Sequence, residues 1–178
     1  MAKTIDYSKL RIIPDFDTRE WWDGARQHKY LVRRCNRCGH RWFPPTFPAC
    51  SKCTSMDLGW FETSGKGVIH SYVEVVQPIV GAFIGTVPYI VAIIELDDCQ
   101  GAAESARRGL NETDSALVRV AGVLTNEPSE AAIGLPCEVL FEETADPAVV
   151  MPRWRITGAA ANTWNFDAHE AAEGSNRK

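Results

Sequence analysis

The sequence predicts a mainly β chain: one N-terminal helix, a small cysteine-rich ribbon, a five-stranded barrel and a mobile C-terminal tail. Three observations predict it. Four of the six cysteines form two C-x-x-C pairs, Cys35/Cys38 and Cys50/Cys53, with eleven residues between them. Five short runs rich in β-branched and aromatic residues follow, with no βαβ pattern among them. One D-x-x-E signature, Asp17 to Glu20, stands before the cysteines and marks a helix start. The expected units are 1–29 (arm and helix), 30–62 (ribbon), 63–157 (barrel) and 158–178 (tail).

Composition fits such a chain. Its 178 residues are 45% hydrophobic and 24% charged, which suits a globular protein and argues against disorder. A net charge of -4 gives no general attraction to nucleic acid or an anionic membrane. No apolar run reaches the roughly 20 residues that span a bilayer, and Met1 to Leu10 lacks the apolar centre of a signal peptide. A cytoplasmic location, with no membrane partner, is expected.

The first element is a helix between Pro14 and Lys29. Trp21, Trp22 and Ala25 recur at near-helical spacing, while Gly24 weakens the helix by about 1 kcal/mol relative to alanine. Adjacent tryptophans cannot share one narrow stripe, so one is expected to pack inward and Trp22 to meet a partner.

In the ribbon, each C-x-x-C turn aims two thiolates at one point, and two such turns complete a tetrahedron. Pro44, Pro45 and Pro48 exclude a helix between them. Gly39, just after the second thiolate, suits a backbone position that side chains reach only with strain. Zinc takes four soft ligands without redox chemistry, and a site with every position filled is structural. A rubredoxin-type iron centre uses the same ligands and stays open as an alternative. Thioredoxin-like chemistry needs an α/β setting that is absent here. Arg33, Arg34, Arg37, His40, Arg41 and Lys52 surround the cysteines. They balance a doubly negative metal–thiolate cluster, form an anion-binding face, or do both. Cys99 and Cys137 stand alone and read as small semi-buried hydrophobes.

The barrel runs from Ser64 to about Arg155. After the turn Gly65-Lys66-Gly67, strands are expected at Val68–Val76, Tyr89–Leu96, Leu117–Leu124, Glu138–Glu142 and Met151–Ile156. Tyr89–Leu96 is nearly continuous apolar, as in a strand buried on both faces. Gln100 to Ser115 reads as a long polar loop. The segment Pro78 to Pro88 has no charge but carries glycines and prolines, so it is an apolar loop. Loops run over the surface, which makes Phe83 and Ile84 candidates for a contact patch; the alternative is a plug in one end of the barrel. Trp164 and Phe166 in the tail are partner anchors or local packing.

Taken together, these motifs resemble the zinc-ribbon plus OB-fold, acyl-CoA-associated family first described as a domain of unknown function. The likeness rests on Trp21-Trp22-Asp23-Gly24, the stretch Leu31 to Gly39, Trp42-Phe43-Pro44-Pro45 and Cys50-Ser51-Lys52-Cys53. It continues through Ser64 to Tyr72, Pro88 to Leu96 and Ile133 to Val139, so that it covers roughly residues 15 to 156. The resemblance implies an OB-fold barrel and a partner subunit of thiolase-like enzymes, including retro-aldolases of steroid side-chain breakdown. It implies a partner that carries the catalytic residues and a coenzyme A thioester as shared ligand. Trp22, Arg37, Arg41, Pro78, Phe83, Ile84 and Tyr89 are then candidate contacts to the partner or the acyl-CoA. The chain departs from the family's pattern at Gln100 to Ser115 and in its longer tail.

A catalytic set within the chain finds little support. His70, Tyr72 and Glu74 alternate onto one strand face, with Ile69, Val73 and Val75 on the core side; such a row serves acid/base chemistry or is a solvated face. Glu95, Asp97 and Asp98 read as solubilising. His28, His40 and His169 lack motif partners, and no P-loop, dinucleotide fingerprint or G-x-S-x-G elbow occurs. The expected function is therefore a non-catalytic accessory subunit, with a nucleic-acid-binding zinc-ribbon/OB-fold module as the alternative.

Overall fold

A computed structural model describes residues 5–99 and 118–159. The 100–115 loop, the residues of the tail from 160, and Trp164, Phe166 and His169 lie outside these.

The one α-helix among the described residues, α1, spans Arg19–Arg26 and is shorter than expected. Its entry is built from Asp15, two residues before Asp17. Thr18 N–H donates to Asp15 Oδ1 at 2.9 Å, and Asp15 N–H donates to Thr18 Oγ1 at 3.2 Å. This reciprocal pair does the work expected of Asp17 and Glu20. Glu20 instead crosses to the ribbon, where it accepts from Trp60 Nε1 and lies 3.7 Å from Arg33 Nη1. The helix ends where His28 turns left-handed at φ 58°. Trp21 is buried and donates from Nε1 to the Leu31 carbonyl at 3.0 Å; Trp22 is half-buried, edge-on to it at 4.8 Å.

The ribbon is a three-stranded antiparallel sheet, β1 (Leu31–Cys35), β2 (Arg41–Trp42) and β3 (Leu58–Glu62), in the order β2-β1-β3. Five more strands form the barrel: β4 (Lys66–Val75), β5 (Tyr89–Leu96), β6 (Arg119–Val123), β7 (Pro136–Glu143) and β8 (Val150–Ile156). Their order is β6-β5-β4-β7-β8, every pairing is antiparallel, and a parallel bridge between Leu124 and Trp154 brings the two edges together. This is the nearly closed five-stranded OB-type barrel that the sequence predicts, with all five strands at the expected places.

Two strand readings need correction. In β5, burial alternates: Ile90, Ala92, Ile94 and Leu96 are buried, whereas Val91, Ile93 and Glu95 are half-exposed, so only one face is fully covered. In β4 the register slips between Ile69 and Ser71, leaving His70 as the extra residue of a bulge. The slip reverses the alternation beyond it. Tyr72, opposite Ala92, packs against the core, while Val73 points out at 60% exposure. His70, Tyr72 and Glu74 therefore do not share one face.

Helix, ribbon and barrel meet in one aromatic junction. The Tyr30 ring lies 5.9 Å from Trp21, 6.2 Å from Phe43 and 5.4 Å from Trp154 of β8. Thr63 donates to the Tyr30 carbonyl from both its N–H, at 3.0 Å, and its hydroxyl, at 2.9 Å.

Candidate functional site

The four cysteines come from two knuckles built alike. In the first, Cys35 N–H donates to the His40 carbonyl at 2.8 Å and Gly39 N–H to the Cys35 carbonyl at 2.9 Å. In the second, Cys50 N–H donates to the Ser55 carbonyl and Thr54 N–H to the Cys50 carbonyl, both at 2.9 Å. Each knuckle needs one residue at positive φ: Gly39 at 76° and Thr54 at 57°. Glycine adopts this conformation freely, whereas a β-branched residue is strained there. The sequence pointed to Gly39 but carried no signal for Thr54.

All four sulfurs lie within 4.8 Å of one another, with Cys35–Cys53 and Cys38–Cys50 each 3.6 Å apart. A tetrahedron of sulfurs about 2.3 Å from a zinc ion has edges of about 3.8 Å, so the spacing of the cluster suits such an ion. Cys35 and Cys50 are buried, Cys53 half-buried and Cys38 exposed. Burial would raise the Cys35 thiol, yet the backbone N–H groups of Cys38 and Arg37 and the neighbouring thiols hold it down at about 7. Among the described residues this is the only group of three or more cysteine, histidine or acidic side chains placed to hold a metal.

The cations around the cluster separate into two kinds. Arg37 is exposed at the tip of the first knuckle. Arg41 is engaged internally: its guanidinium lies 3.7 Å over the Phe61 ring, and Nη1 donates to the Asp98 carbonyl at 2.6 Å, so that it joins the ribbon to the barrel. Arg33 lies 4.6 Å over Trp60.

The Pro78 to Pro88 loop is partly tucked in and partly exposed. Ala82 is buried in a short 3-10 turn, Gly81–Phe83, and Thr86 is buried. Phe83 stacks on Tyr89 at 5.0 Å, both half-buried. Ile79 at 99%, Val80 at 45% and Ile84 at 65% face solvent, beside Val73 at 60% and Val76 at 72% on the end of β4. Five of the nine exposed large hydrophobic residues among those described thus fall between 73 and 84, a concentration of exposed apolar side chains on one stretch of chain. His70 stands on the barrel surface, its Nδ1 3.6 Å from Glu95 Oε2, to which Arg119 Nε also donates at 3.3 Å.

One arrangement escaped the sequence reading. Arg153 of β8 is buried; its Nε donates to the Val123 carbonyl at 3.2 Å, Nη2 to the Leu124 carbonyl at 3.0 Å and Nη1 to Glu142 at 3.3 Å. The Tyr7 hydroxyl donates to the same Glu142 carboxylate. These groups line an open cavity of ≈ 710 Å³, together with Ile5, Thr86, Pro88, Tyr89 and Leu124. Tyr7 and Glu142 are 135 residues apart, and no local pattern could have joined them.

Two family models match successive parts of the chain. The ChsH2 rubredoxin-like zinc ribbon domain matches residues 22–58, and the ChsH2 C-terminal OB-fold domain matches residues 60–142. A probable enoyl-CoA hydratase alpha subunit of Thermomonospora curvata is 32% identical over 139 residues, covering 78% of this chain and 37% of that protein. The 3-oxo-4,17-pregnadiene-20-carboxyl-CoA hydratase alpha subunit of Mycobacterium tuberculosis is 28% identical over 131 residues, covering 73% of this chain and 35% of that protein. The chain thus spans little more than a third of these relatives, 37% and 35%. A solved chain of the Ltp2-ChsH2(DUF35) aldolase aligns with a TM-score of 0.65 at 28% identity, over 82% of this chain and 98% of that chain.

Proposed function

Because the chain belongs to the ChsH2 (DUF35) family of zinc-ribbon and OB-fold proteins, we propose that it is a non-catalytic zinc-binding subunit of a heteromeric thiolase-like enzyme. The enzyme acts on a bulky acyl-CoA, by retro-aldol or thiolytic carbon–carbon cleavage, in the cytoplasm. This subunit stabilises the partner and helps form the acyl-CoA site. Cys35, Cys38, Cys50 and Cys53 hold one structural zinc ion, which shapes the ribbon and takes no part in the reaction.

The observation that carries the reading is the apolar patch from Val73 to Ile84. Exposed apolar side chains concentrated in this way suit an interaction site, and covering them releases water. Pro78, Phe83, Ile84 and Tyr89 form the docking loop, Trp22 contributes on the helix, and the exposed Arg37 meets the anionic part of the coenzyme A thioester. Arg41, held at the ribbon–barrel junction, adds its field rather than a direct contact. The aldolase named for the similar structure supports carbon–carbon cleavage, and the hydratase subunit names support an acyl-CoA ligand. The nucleic-acid alternative loses support: Tyr72 and Phe141 pack against the core and Trp154 is buried, so these barrel-strand aromatics offer no exposed stacking platform.

Co-expression with a thiolase-like aldolase subunit tests the proposal. A stable complex is expected, with acyl-CoA cleavage by the complex and none by this metal-loaded chain alone. An Ile79→Asp/Ile84→Asp double variant is expected to fold normally and to weaken the complex by about 100-fold or more, since each side chain forfeits an apolar burial of roughly 1.5–3 kcal/mol. Turnover by the isolated chain, or complex formation indifferent to the double variant, would overturn it.

A further inference from the structure

The N-terminal arm and the docking loop are bound to one another. Ile5 is buried at 5% exposure. Asp6 N–H donates to the carbonyl of Ala82, in the middle of the loop's 3-10 turn, at 3.0 Å. Tyr7 then starts a second 3-10 turn, Tyr7–Lys9, and sends its hydroxyl to Glu142. That carboxylate is backed by the buried Arg153, whose other nitrogens are fixed on the carbonyls of Val123 and Leu124. The arm is therefore tied at both ends of a short span: to the loop through its backbone and to the barrel wall through Tyr7.

The geometry points to a strap: the arm, anchored by Tyr7 on Glu142 and Arg153, holds the Gly81–Phe83 turn against the barrel end and so sets the shape of the protein-docking surface. The inference rests on the proposed docking role of that loop. The bond from Asp6 to Ala82 is the long-range backbone tie of the loop's turn. Within the loop the hydrogen bonds are short-range: Phe83 N–H to the Val80 carbonyl at 3.0 Å, Ile84 N–H to the Gly81 carbonyl at 3.4 Å, and Thr86 N–H and Oγ1 to the Phe83 carbonyl at 3.0 and 2.8 Å. Phe83 stacks on Tyr89, and Ala82 and Thr86 are buried. With the turn pinned, Ile79, Val80 and Ile84 are presented outward together instead of collapsing into the neighbouring cavity, which Ile5, Tyr7, Thr86 and Tyr89 share. A docking loop held in its bound shape loses less entropy on association. Burial, and then the Glu142 carboxylate, push the Tyr7 hydroxyl up to about 12, so it stays protonated and able to donate throughout the working range. Tyr7 is a positioning residue, since it acts on the patch only through the loop.

Hydrogen exchange on the full isolated chain tests the strap without needing any partner. In Tyr7→Phe, the amides of Asp6 and of residues 81–86 are expected to exchange about tenfold faster, while those of β5 and of the ribbon keep their wild-type rates. Ile5→Ser, which frees the other end of the arm, is expected to do the same. Equal exchange in wild type and both variants would overturn the strap. Affinity for the partner subunit gives the second readout, with an expected loss of about tenfold in Tyr7→Phe. An unchanged affinity would overturn the positioning role, whereas a wild-type chain that binds no partner but shows the exchange effect would sink the docking reading and leave the strap standing.

Discussion

A methyl group at position 122 would lie 2.1 Å from Cδ1 and 2.4 Å from Nε1 of Trp154. No side chain fits there, because the indole of β8 crosses β6 at backbone distance to seal the barrel seam, where Leu124 bridges Trp154. Gly122→Ala is therefore expected to cost about 1–3 kcal/mol, the usual penalty for overpacking, read as a lower urea midpoint at unchanged slope. Asp97 makes a different residue-scale case. Burial, reinforced by the charge of Asp98, raises its carboxyl above the ordinary range, with Lys66 opposing. An acid with a raised pKa binds its proton more tightly when folded, so its contribution is favourable below the unfolded pKa. It turns against folding as pH rises through the folded value. Asp97→Asn is thus expected to raise stability at pH 7 relative to wild type and to lose that advantage near pH 3. Chemical denaturation at the two pH values checks the sign.

At the scale of elements, the bulge at His70 decides what each side chain of β4 does. Simple alternation would bury Val73; with one extra residue inserted, Val73 is solvent-facing and Tyr72 takes the inward place. Val73→Lys is accordingly expected to change stability by less than about 0.5 kcal/mol, whereas Tyr72→Ala should cost about 3–5 kcal/mol, as for other packed aromatics. Thermal unfolding of the two variants separates bulge from regular strand. The same element shows what the sequence could and could not reveal. Strand identity was legible because β-branched runs between glycine and proline turns have few alternatives. The gathering of the four cysteines was legible because knuckle geometry is local, set by residues one to five positions apart. The bulge was not legible, since a register slip is fixed by the facing strand rather than by β4 itself. Nor was the Asp15–Thr18 entry to α1. Asp17 and Glu20 match a capping pattern equally well, and only the nearby Trp60 and Arg33 draw Glu20 away. Long-range pairs such as Tyr7 and Glu142, or Arg41 and Asp98, leave no trace in spacing at all.

For the whole molecule, the question is whether the ribbon is an appendage or part of the barrel's core. Trp21 and Phe43 pack around Tyr30, and Tyr30 in turn packs on Trp154, the same indole that seals β6 to β8. Arg41 adds a second tie: it belongs to the two-residue strand β2 just after the first knuckle, and it grips the Asp98 carbonyl beyond the end of β5. A ribbon of about 30 residues has too little apolar core to hold itself together, so its fold is expected to depend on the zinc ion proposed for the four cysteines. Removing that ion should release β1 to β3, strip Tyr30 from Trp154, and free Arg41 from Asp98. Losing one packed aromatic typically costs about 3–5 kcal/mol, and a domain of this size shifts by about 4–8 °C per kcal/mol. Chelation is therefore expected to lower the melting point of the barrel itself by at least about 10 °C and to expose the amides of β8, not only those of the ribbon. Metal analysis should find one equivalent of zinc beforehand, and re-addition of zinc should restore both signals. Arg41→Ala in the zinc-loaded chain isolates the second tie: it should raise exchange around Asp97–Cys99 while the four-cysteine knuckles keep their protection. If chelation melted the ribbon but left barrel stability and β8 exchange unchanged, ribbon and barrel would be independent units. The ribbon could then not stiffen the surface on which the barrel meets its partner.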